Sequence, residues 1–178
     1  MTLNQSPTAE GLASLRALYE RAFPPSVKKP WRMIEERVKL GTMRVVSIEE
    51  DGVFLGLMIF IIHRDVVLLD YFAVEESARG GGIGGRALEI LFSHLGDFRL
   101  LLEIEDTDDK SAENLSERLR RRDFYLRHGM KPMSYKVDLF GVRMNLLTYE
   151  GRGVTFEEYH EIFRCVFSPK IAENVKLC

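Results

Sequence analysis

The stretch VVLLDYFAVEESARGGGIGGRAL, residues 66–88, decides the fold of this 178-residue chain. Its first part is mostly apolar and predicts a buried strand over residues 66–74. A polar, glycine-rich segment follows at residues 75–85, and from Ile83 the apolar residues recur at helical spacing. A further apolar run at residues 100–105 predicts another strand. A strand, a turn, a helix and a strand in this order predict two parallel strands that are neighbours or nearly so.

The segments before this unit predict helices and then antiparallel strands. Apolar residues at helical spacing indicate helices over residues 9–23 and 31–40. Alternating residues and tight turns then indicate a meander of three strands. These strands are expected at residues 43–48, 53–63 and 66–74, with turns at Asp51-Gly52 and Arg64-Asp65.

The segments after the unit complete a single predicted domain over residues 1–178. They comprise an acidic loop at residues 106–114, a charged helix to about His128, and a hairpin around Phe140-Gly141. The capping box Thr155-Phe-Glu-Glu158 then opens a last helix. The chain is therefore expected to be an α/β protein with a mixed sheet of about six or seven strands.

The bulk composition argues against several classes of protein. A formal net charge of -2 does not indicate a basic surface that binds nucleic acid or a polybasic patch that binds membranes. The longest apolar stretch, residues 53–62, is far too short to span a bilayer. The N-terminal MTLNQSPTAE lacks the basic and apolar parts of a secretory signal. We therefore expect a cytoplasmic protein with reduced thiols, Cys165 in the core and Cys178 exposed.

Residues 79–84, Arg-Gly-Gly-Gly-Ile-Gly, lie between the predicted strand and the predicted helix. Glycines let the backbone approach a ligand closely, and a helix N-terminus offers free N–H groups and a partial positive charge. The segment therefore predicts a phosphate or pyrophosphate site. The plainer alternative is a tight turn that binds nothing.

Two familiar nucleotide motifs fit this segment less well. A P-loop is excluded, because no Lys-Ser/Thr pair follows the glycines. Gly80, Gly82 and Gly85 do satisfy the dinucleotide pattern G-x-G-x-x-G, and acidic residues follow about 20 positions later. Residues 75–79, however, separate the strand from the glycines, and the preceding strands form a meander without helices between them.

Two motifs fit a third kind of site. Residues 74–88 read VEESARGGGIGGRAL and contain the pattern Arg/Gln-x-x-Gly-x-Gly/Ala, met by Arg79, Gly82 and Gly84. Further along, residues 124–130 read FYLRHGM. The first motif resembles the acyl-CoA signature of the GNAT superfamily of N-acyltransferases. The second resembles the family's tyrosine four residues before a glycine and an apolar residue.

The resemblance covers at least residues 43–137, and the tail is similar to a bacterial subgroup of that family. Some positions depart from the family pattern. Arg118 stands where the family often has asparagine, Arg121 where it often has alanine, and Met130 where it often has phenylalanine. The long acidic loop at residues 106–114 is an addition. These departures concern the acceptor pocket and helix packing more than the CoA site.

The resemblance implies a GNAT-like fold and activity. The fold would be a mostly antiparallel mixed sheet with helices on both faces and a splayed parallel strand pair at the CoA site. The activity would be N-acetyl transfer from the cosubstrate acetyl-CoA by direct transfer in a ternary complex. The residues expected to bind the cofactor are Phe72, Ala73, Val74, Arg79, Gly80, Gly81, Gly82, Ile83, Gly84 and Gly85.

The reaction also needs an acid and a base. Tyr125 is the candidate acid that protonates the departing thiolate, with simple aromatic packing as the alternative. Asp70, Glu103 and Glu105 are the candidate bases, and Glu103 and Glu105 share one face of a strand. A structural role is as plausible for each, and a water relay could replace a direct base. No metal is expected, because the histidines lie apart, at His63, His94, His128 and His160.

The acceptor is expected to be a small molecule that carries a primary amine. Many carboxylates lie on or beside the strands that should border its site, and they favour a cationic amine; the alternative is that they only solvate a loop. Binding of nucleic acid or membrane is not expected, a homodimer is left open, and a non-catalytic acyl-CoA sensor is the alternative function. The carboxylates are Asp70, Glu103, Glu105, Asp106, Asp108 and Asp109.

Overall fold

The computed structural model describes residues 1–25 and 27–178. Its strands form one sheet in the order β1-β2-β3-β4-β5-β7-β6-β8. The strands are β1 (Thr2–Asn4), β2 (Met43–Glu50), β3 (Val53–His63), β4 (Val66–Val74), β5 (Arg99–Glu105), β6 (Met130–Leu139), β7 (Val142–Tyr149) and β8 (Val175–Leu177). The α-helices are α1 (Ala9–Ala22), α2 (Trp31–Lys39), α3 (Ile83–Ser93), α4 (Leu115–Arg127), α5 (Phe156–Val166) and α6 (Pro169–Ala172).

The chain divides into two compact units, each with its own contacts. The first comprises Met1–Ile62 and Leu69–Gly96, and the second comprises His63–Leu68 and Asp97–Cys178. The single domain expected over residues 1–178 stays a prediction. In the part of the chain that the structure describes, none of the helices combines the length and apolar character that a membrane span needs.

The first unit is built on the predicted meander. Asp51 and Gly52 have φ angles of 52° and 78°, which is the left-handed backbone of a two-residue hairpin turn between β2 and β3. A Cβ atom added to Gly56 in β3 would lie 2.5 Å from the carbonyl oxygen of Ala73. Glycine at that position therefore allows β3 to lie close to the end of β4.

The second unit contains the start of β4 and all of β5. The N–H of Arg99 donates to the carbonyl of Asp65 at 2.8 Å, so the two strands begin side by side and run parallel. The remaining pairs, β5 with β7, β7 with β6 and β6 with β8, are antiparallel. The predicted capping box opens α5, with Thr155 and Glu158 each accepting a hydrogen bond from the other's backbone N–H.

The structure confirms the mixed, mostly antiparallel sheet and corrects two details. The sheet has eight strands among the described residues, because β1 and β8 add three-residue edges that are too short to show a periodicity. The prediction for Cys165 was wrong: both Cys165 and Cys178 are exposed. Cys165 lies off the buried face of α5, which consists of Tyr159, Ile162, Phe163 and Val166.

Candidate functional site

The glycine turn leads from the end of β4 into α3 in the first unit. Gly80 and Gly82 have φ angles of 83° and 74°, a left-handed backbone that side chains rarely adopt. A Cβ atom added to either residue would meet nothing within 4 Å. Close packing therefore does not require these glycines; they shape the backbone and leave the turn open to solvent.

The N-terminus of α3 offers hydrogen-bond donors without a capping side chain. Gly82 is the N-cap residue and has no side chain to accept a hydrogen bond from the helix, and its carbonyl accepts from the N–H of Arg86 at 3.0 Å. The first N–H groups of an α-helix have no acceptor inside the helix. Together with the helix dipole, they make this end of α3 suited to an anion such as a phosphate.

Two arginines flank the glycines, and both contact protein groups. The Nε of Arg79 donates to the carbonyl of Val74 at 3.2 Å, so this side chain bridges the two ends of the turn. Arg86 pairs with both carboxylate oxygens of Glu50, at 2.7 and 3.2 Å, and this contact lowers the pKa of Glu50. An anion at this turn would therefore be held mainly by backbone N–H groups.

The other residues predicted to bind the cofactor surround this turn. Phe72, Ala73 and Val74 are half-buried at the end of β4. Ile83 and Gly85 are buried in the first turn of α3. The first unit therefore brings all ten residues into one strand–turn–helix segment, and their contact with a cofactor stays a prediction.

Asp70, also in the first unit, is held by a lysine. The Nζ of Lys29 lies 2.8 and 2.9 Å from the two Asp70 oxygens, and the Asp70 side chain is only 5% exposed. The same Nζ lies 5.2 Å from the centroid of the Tyr71 ring. These contacts give Asp70 a structural role in joining β4 to the segment that precedes α2.

Tyr125 lies on α4 in the second unit and is buried. Burial raises the pKa of Tyr125 to about 12, although the charge of Arg121 opposes that shift. Among the residues that the structure describes, none hydrogen-bonds the Tyr125 hydroxyl, and its ring packs against Phe124 with centroids 5.2 Å apart. The hydroxyl is therefore protonated at neutral pH and has its proton available for donation.

Glu103 and Glu105 project from the same face of β5 and have different partners. Glu103 accepts a hydrogen bond from the hydroxyl of Tyr159, which is fully buried. Glu105 lies 3.1 Å from Arg118 and 3.3 Å from Arg121, and both of its oxygens also accept from the Asn114 amide. The Tyr159 hydroxyl that donates to Glu103 is a neutral group, whereas Arg118 and Arg121, which contact Glu105, are cations.

The acidic residues after β5 are paired with cations as well. Lys136 on β6 lies 2.7 Å from both Asp106 and Asp108, and Asp109 lies 3.8 Å from Arg118. Burial acts to raise the pKa of Asp106, but the hydrogen bonds from Lys136 and the Asp108 N–H outweigh it and lower the pKa. These ion pairs weaken the field that the sequence predicted around a cationic acceptor.

Sequence reasoning missed the partners of these carboxylates. Asn114 and Arg118 are four residues apart, at the start of α4, so a helical pattern could have indicated their contact. Lys29, Lys136 and Tyr159 are far from their partners along the chain, and no local pattern pairs them. Asp70, Glu103 and Glu105 lie on the strands where the sequence predicted them, but the partners of their carboxylates are determined by the fold.

Comparisons with known proteins agree with the fold described above. A family model described as "Acetyltransferase (GNAT) family" matches residues 12–130, more than half of the chain. A search of curated protein sequences finds no match to the chain.

Solved structures are similar to most of this chain at low sequence identity. A putative GNAT-family acetyltransferase from Bacteroides thetaiotaomicron is 21% identical, with a TM-score of 0.77 over 94% of this chain and 98% of the other. An aminoglycoside 6'-N-acetyltransferase complexed with coenzyme A is 15% identical, with a TM-score of 0.57 over 83% and 96%. The ribosomal-protein-S18-alanine N-acetyltransferase from Escherichia coli is 17% identical, with a TM-score of 0.61 over 83% and 92%.

Proposed function

The chain belongs to the acetyltransferase (GNAT) family, and we propose that it transfers an acetyl group from acetyl-CoA to a primary amine. The observation that carries this proposal is the open, left-handed glycine turn at the uncapped N-terminus of α3. Backbone N–H groups from Gly80 to Gly85 would hold the pyrophosphate. The backbone at Phe72 and Val74 would hold the pantetheine arm as a neighbouring strand would.

Direct transfer requires one bond to form while another breaks. The amine nitrogen attacks the thioester carbonyl, a C–N bond forms, and the C–S bond breaks to release the CoA thiolate. Tyr125 is suited to donate a proton to that sulfur, because its hydroxyl is protonated and has no protein partner in the described structure. The proton lost by the amine passes to a carboxylate or through water. Asp70, Glu103 and Glu105 all stay candidate bases; Lys29 contacts Asp70, Arg118 and Arg121 contact Glu105, and the Tyr159 hydroxyl donates to Glu103.

The proposed acceptor is a small cationic amine. Some observations support this acceptor, whereas others favour a protein or an uncharged amine. One structure with the same fold is an aminoglycoside acetyltransferase, but another acetylates a ribosomal protein. The ion pairs around Asp106 and Glu105 also reduce the attraction for cations. A panel of neutral, acidic and cationic amines, including an N-terminal alanine peptide, would decide among these acceptors.

Two measurements test the proposal. Coenzyme A should raise the melting temperature by mass action, and NAD should not. Release of free thiol from acetyl-CoA should then depend on an added amine. Binding of coenzyme A without amine-dependent thiol release across the panel would favour the alternative, a non-catalytic acyl-CoA sensor. A shift with NAD alone would contradict both.

A further inference from the structure

We propose that His63, Glu161 and Cys165 form a binding site for a zinc-like divalent metal ion, separate in chemistry from acyl transfer. His63 is the last residue of β3, and Glu161 and Cys165 lie four residues apart on α5. That spacing puts both side chains on one face of the helix. One ligand atom from each residue lies within 4.8 Å of the other two.

The distances are close to those of a tetrahedral site. Zinc bonds of about 2.0–2.3 Å place neighbouring ligand atoms about 3.3–3.8 Å apart. The Nε2 of His63 lies 3.8 Å from an oxygen of Glu161, so this pair already has the spacing of two ligands. Small side-chain rotations would bring the Sγ of exposed Cys165 to the same distance.

His63 supplies a second, independent observation. Its Nε2 atom is buried and has no hydrogen-bond partner among the residues that the structure describes. At 3.8 Å from Glu161 it is too far for a direct hydrogen bond. A buried ring nitrogen without a partner is costly, and a metal ion between these side chains would satisfy it.

The kinds of ligand indicate which metal would bind. An imidazole nitrogen, a carboxylate oxygen and a thiolate sulfur suit zinc, and three protein ligands leave a fourth position for water. The histidines have no metal-ligand spacing in the sequence, so only the fold brings this set together. When the metal binds, the thiol proton of Cys165 would leave to solvent, because the thiolate is the ligand.

Two arginines compete with the metal for Glu161. Arg64 lies 2.8 Å from one of its oxygens, and Arg164 lies 3.0 Å from the other. Both arginines are largely exposed, and they would have to move away from the carboxylate for Glu161 to bind the metal. This competition makes Arg164 a useful position for a test.

The experiment uses the full chain, stripped with a chelator and titrated with Co²⁺ and then with Zn²⁺ in competition with a coloured chelator. We expect one ion per chain, and a thiolate-to-cobalt charge-transfer band that Zn²⁺ abolishes. Cys165→Ala should remove the band and weaken Zn²⁺ binding by more than about tenfold, since even outer-shell changes cost about 10–100-fold. Arg164→Gln should tighten binding by freeing Glu161.

Cys178→Ala is the matched control, because Cys178 is the other exposed thiol. It should leave the band and the affinity unchanged. The proposal is overturned if the unmodified chain gives no thiolate band, if Cys165→Ala binds Zn²⁺ as tightly as the unmodified chain, or if Cys178→Ala abolishes the band. Weaker or unchanged binding in Arg164→Gln would remove Glu161 from the ligand set.

Discussion

The glycine turn before α3 and the acidic segment at the end of β5 differ in how far their polar groups are paired. In the turn, the N-terminus of α3 has no capping side chain, and added Cβ atoms at Gly80 and Gly82 would meet open space. In the acidic segment, Glu105, Asp106 and Asp108 all contact lysine or arginine side chains. The N–H groups at the start of α3 are therefore available to a ligand, whereas the carboxylates of the acidic segment already contact cations of the protein.

The difference shows which charged or polar residues to associate with function. The sequence shows where a carboxylate is, but the cation that pairs with it can lie at any separation along the chain. Backbone donors at a helix start are set by local sequence, because glycine and the helix itself determine them. Local motifs therefore predict a backbone-built site better than they predict a site made of ionised side chains.

The largest expected effect comes from placing a side chain in the open turn. Gly82→Val should abolish the melting-temperature shift by coenzyme A, because the side chain would occupy the space proposed for the pyrophosphate. Gly41→Val is a closely matched control: Gly41 has a φ of 77°, against 74° for Gly82, and open space around its Cβ position. Both variants should lose about 1–3 kcal/mol of stability from backbone strain. An intact shift in folded Gly82→Val protein would exclude this turn as the site.

The next effect concerns buried Tyr125, whose hydroxyl has no hydrogen-bond partner among the described residues, and half-buried Tyr135, whose hydroxyl has one. Burial raises the pKa of both Tyr125 and Tyr135 to about 12, but Tyr135 donates to the Val154 carbonyl at 2.8 Å. Tyr125→Phe should lower kcat by about ten- to a thousandfold with little change in stability or coenzyme A affinity. Tyr135→Phe should instead lose about 1 kcal/mol of stability and keep its kcat. Steady-state kinetics and urea unfolding of both variants would distinguish a catalytic role from a structural one. An unchanged kcat in Tyr125→Phe would mean that Tyr125 contributes only to packing.

A smaller effect should separate the two carboxylates of β5. Glu103→Gln should lower kcat by about ten- to a hundredfold if Glu103 accepts the amine proton, and Glu105→Gln should lower it less, because Glu105 is held by Arg118 and Arg121. Glu113→Gln, in the exposed loop, is the control for a lost charge. The opposite order would assign the base to Glu105, and equal small losses would favour a water relay.

The sequence predicts most of the fold, and it does so where the signal is local. The bounds of β3 and β4 match the predictions, since tight turns at Asp51-Gly52 and Arg64-Asp65 mark their ends. The strand count was low because β1 and β8 are three-residue edge strands. Cys165 was assigned to the core because its neighbours are apolar, yet its angle around α5 points it away from the buried face.

The candidate site is predictable to a smaller extent. The motif at residues 74–88 locates the strand, turn and helix that the structure contains. The ion pair of Asp70 with Lys29 joins residues 41 positions apart, and that of Asp106 with Lys136 joins residues 30 positions apart. Such contacts arise from tertiary packing, so residue type alone could not show that these carboxylates form ion pairs within the protein.

The smallest expected effect tests the acidic segment through its dependence on pH. The Asp106 side chain is only 5% exposed, and its lowered pKa depends on Lys136 and the Asp108 N–H overcoming the effect of burial. A carboxyl whose pKa is lowered by folding contributes stability that is fully present above its unfolded value, about 3.9, and is lost as the pH falls through the folded value. Lys136→Met removes the main group that counteracts the effect of burial on the pKa of Asp106. The contribution of Asp106 to stability should therefore shrink or change sign.

Lys136→Met should therefore cost about 1.5–3 kcal/mol at pH 7, the range for a hydrogen bond to a charged group, and clearly less at pH 3. Urea unfolding gives the free energy of unfolding of the variant and of the unmodified chain at both pH values. The difference between the two proteins at each pH cancels the titration of the groups that they share. Lys131→Met, at an exposed position on the same strand, controls for the loss of a positive charge and should cost little at either pH. An equal loss at pH 7 and pH 3 would mean that Lys136 contributes through packing of its alkyl chain. The acidic segment would then be held together by something other than the ion pair, and its carboxylates would be freer to attract a cationic amine than the contacts with Lys136 indicate.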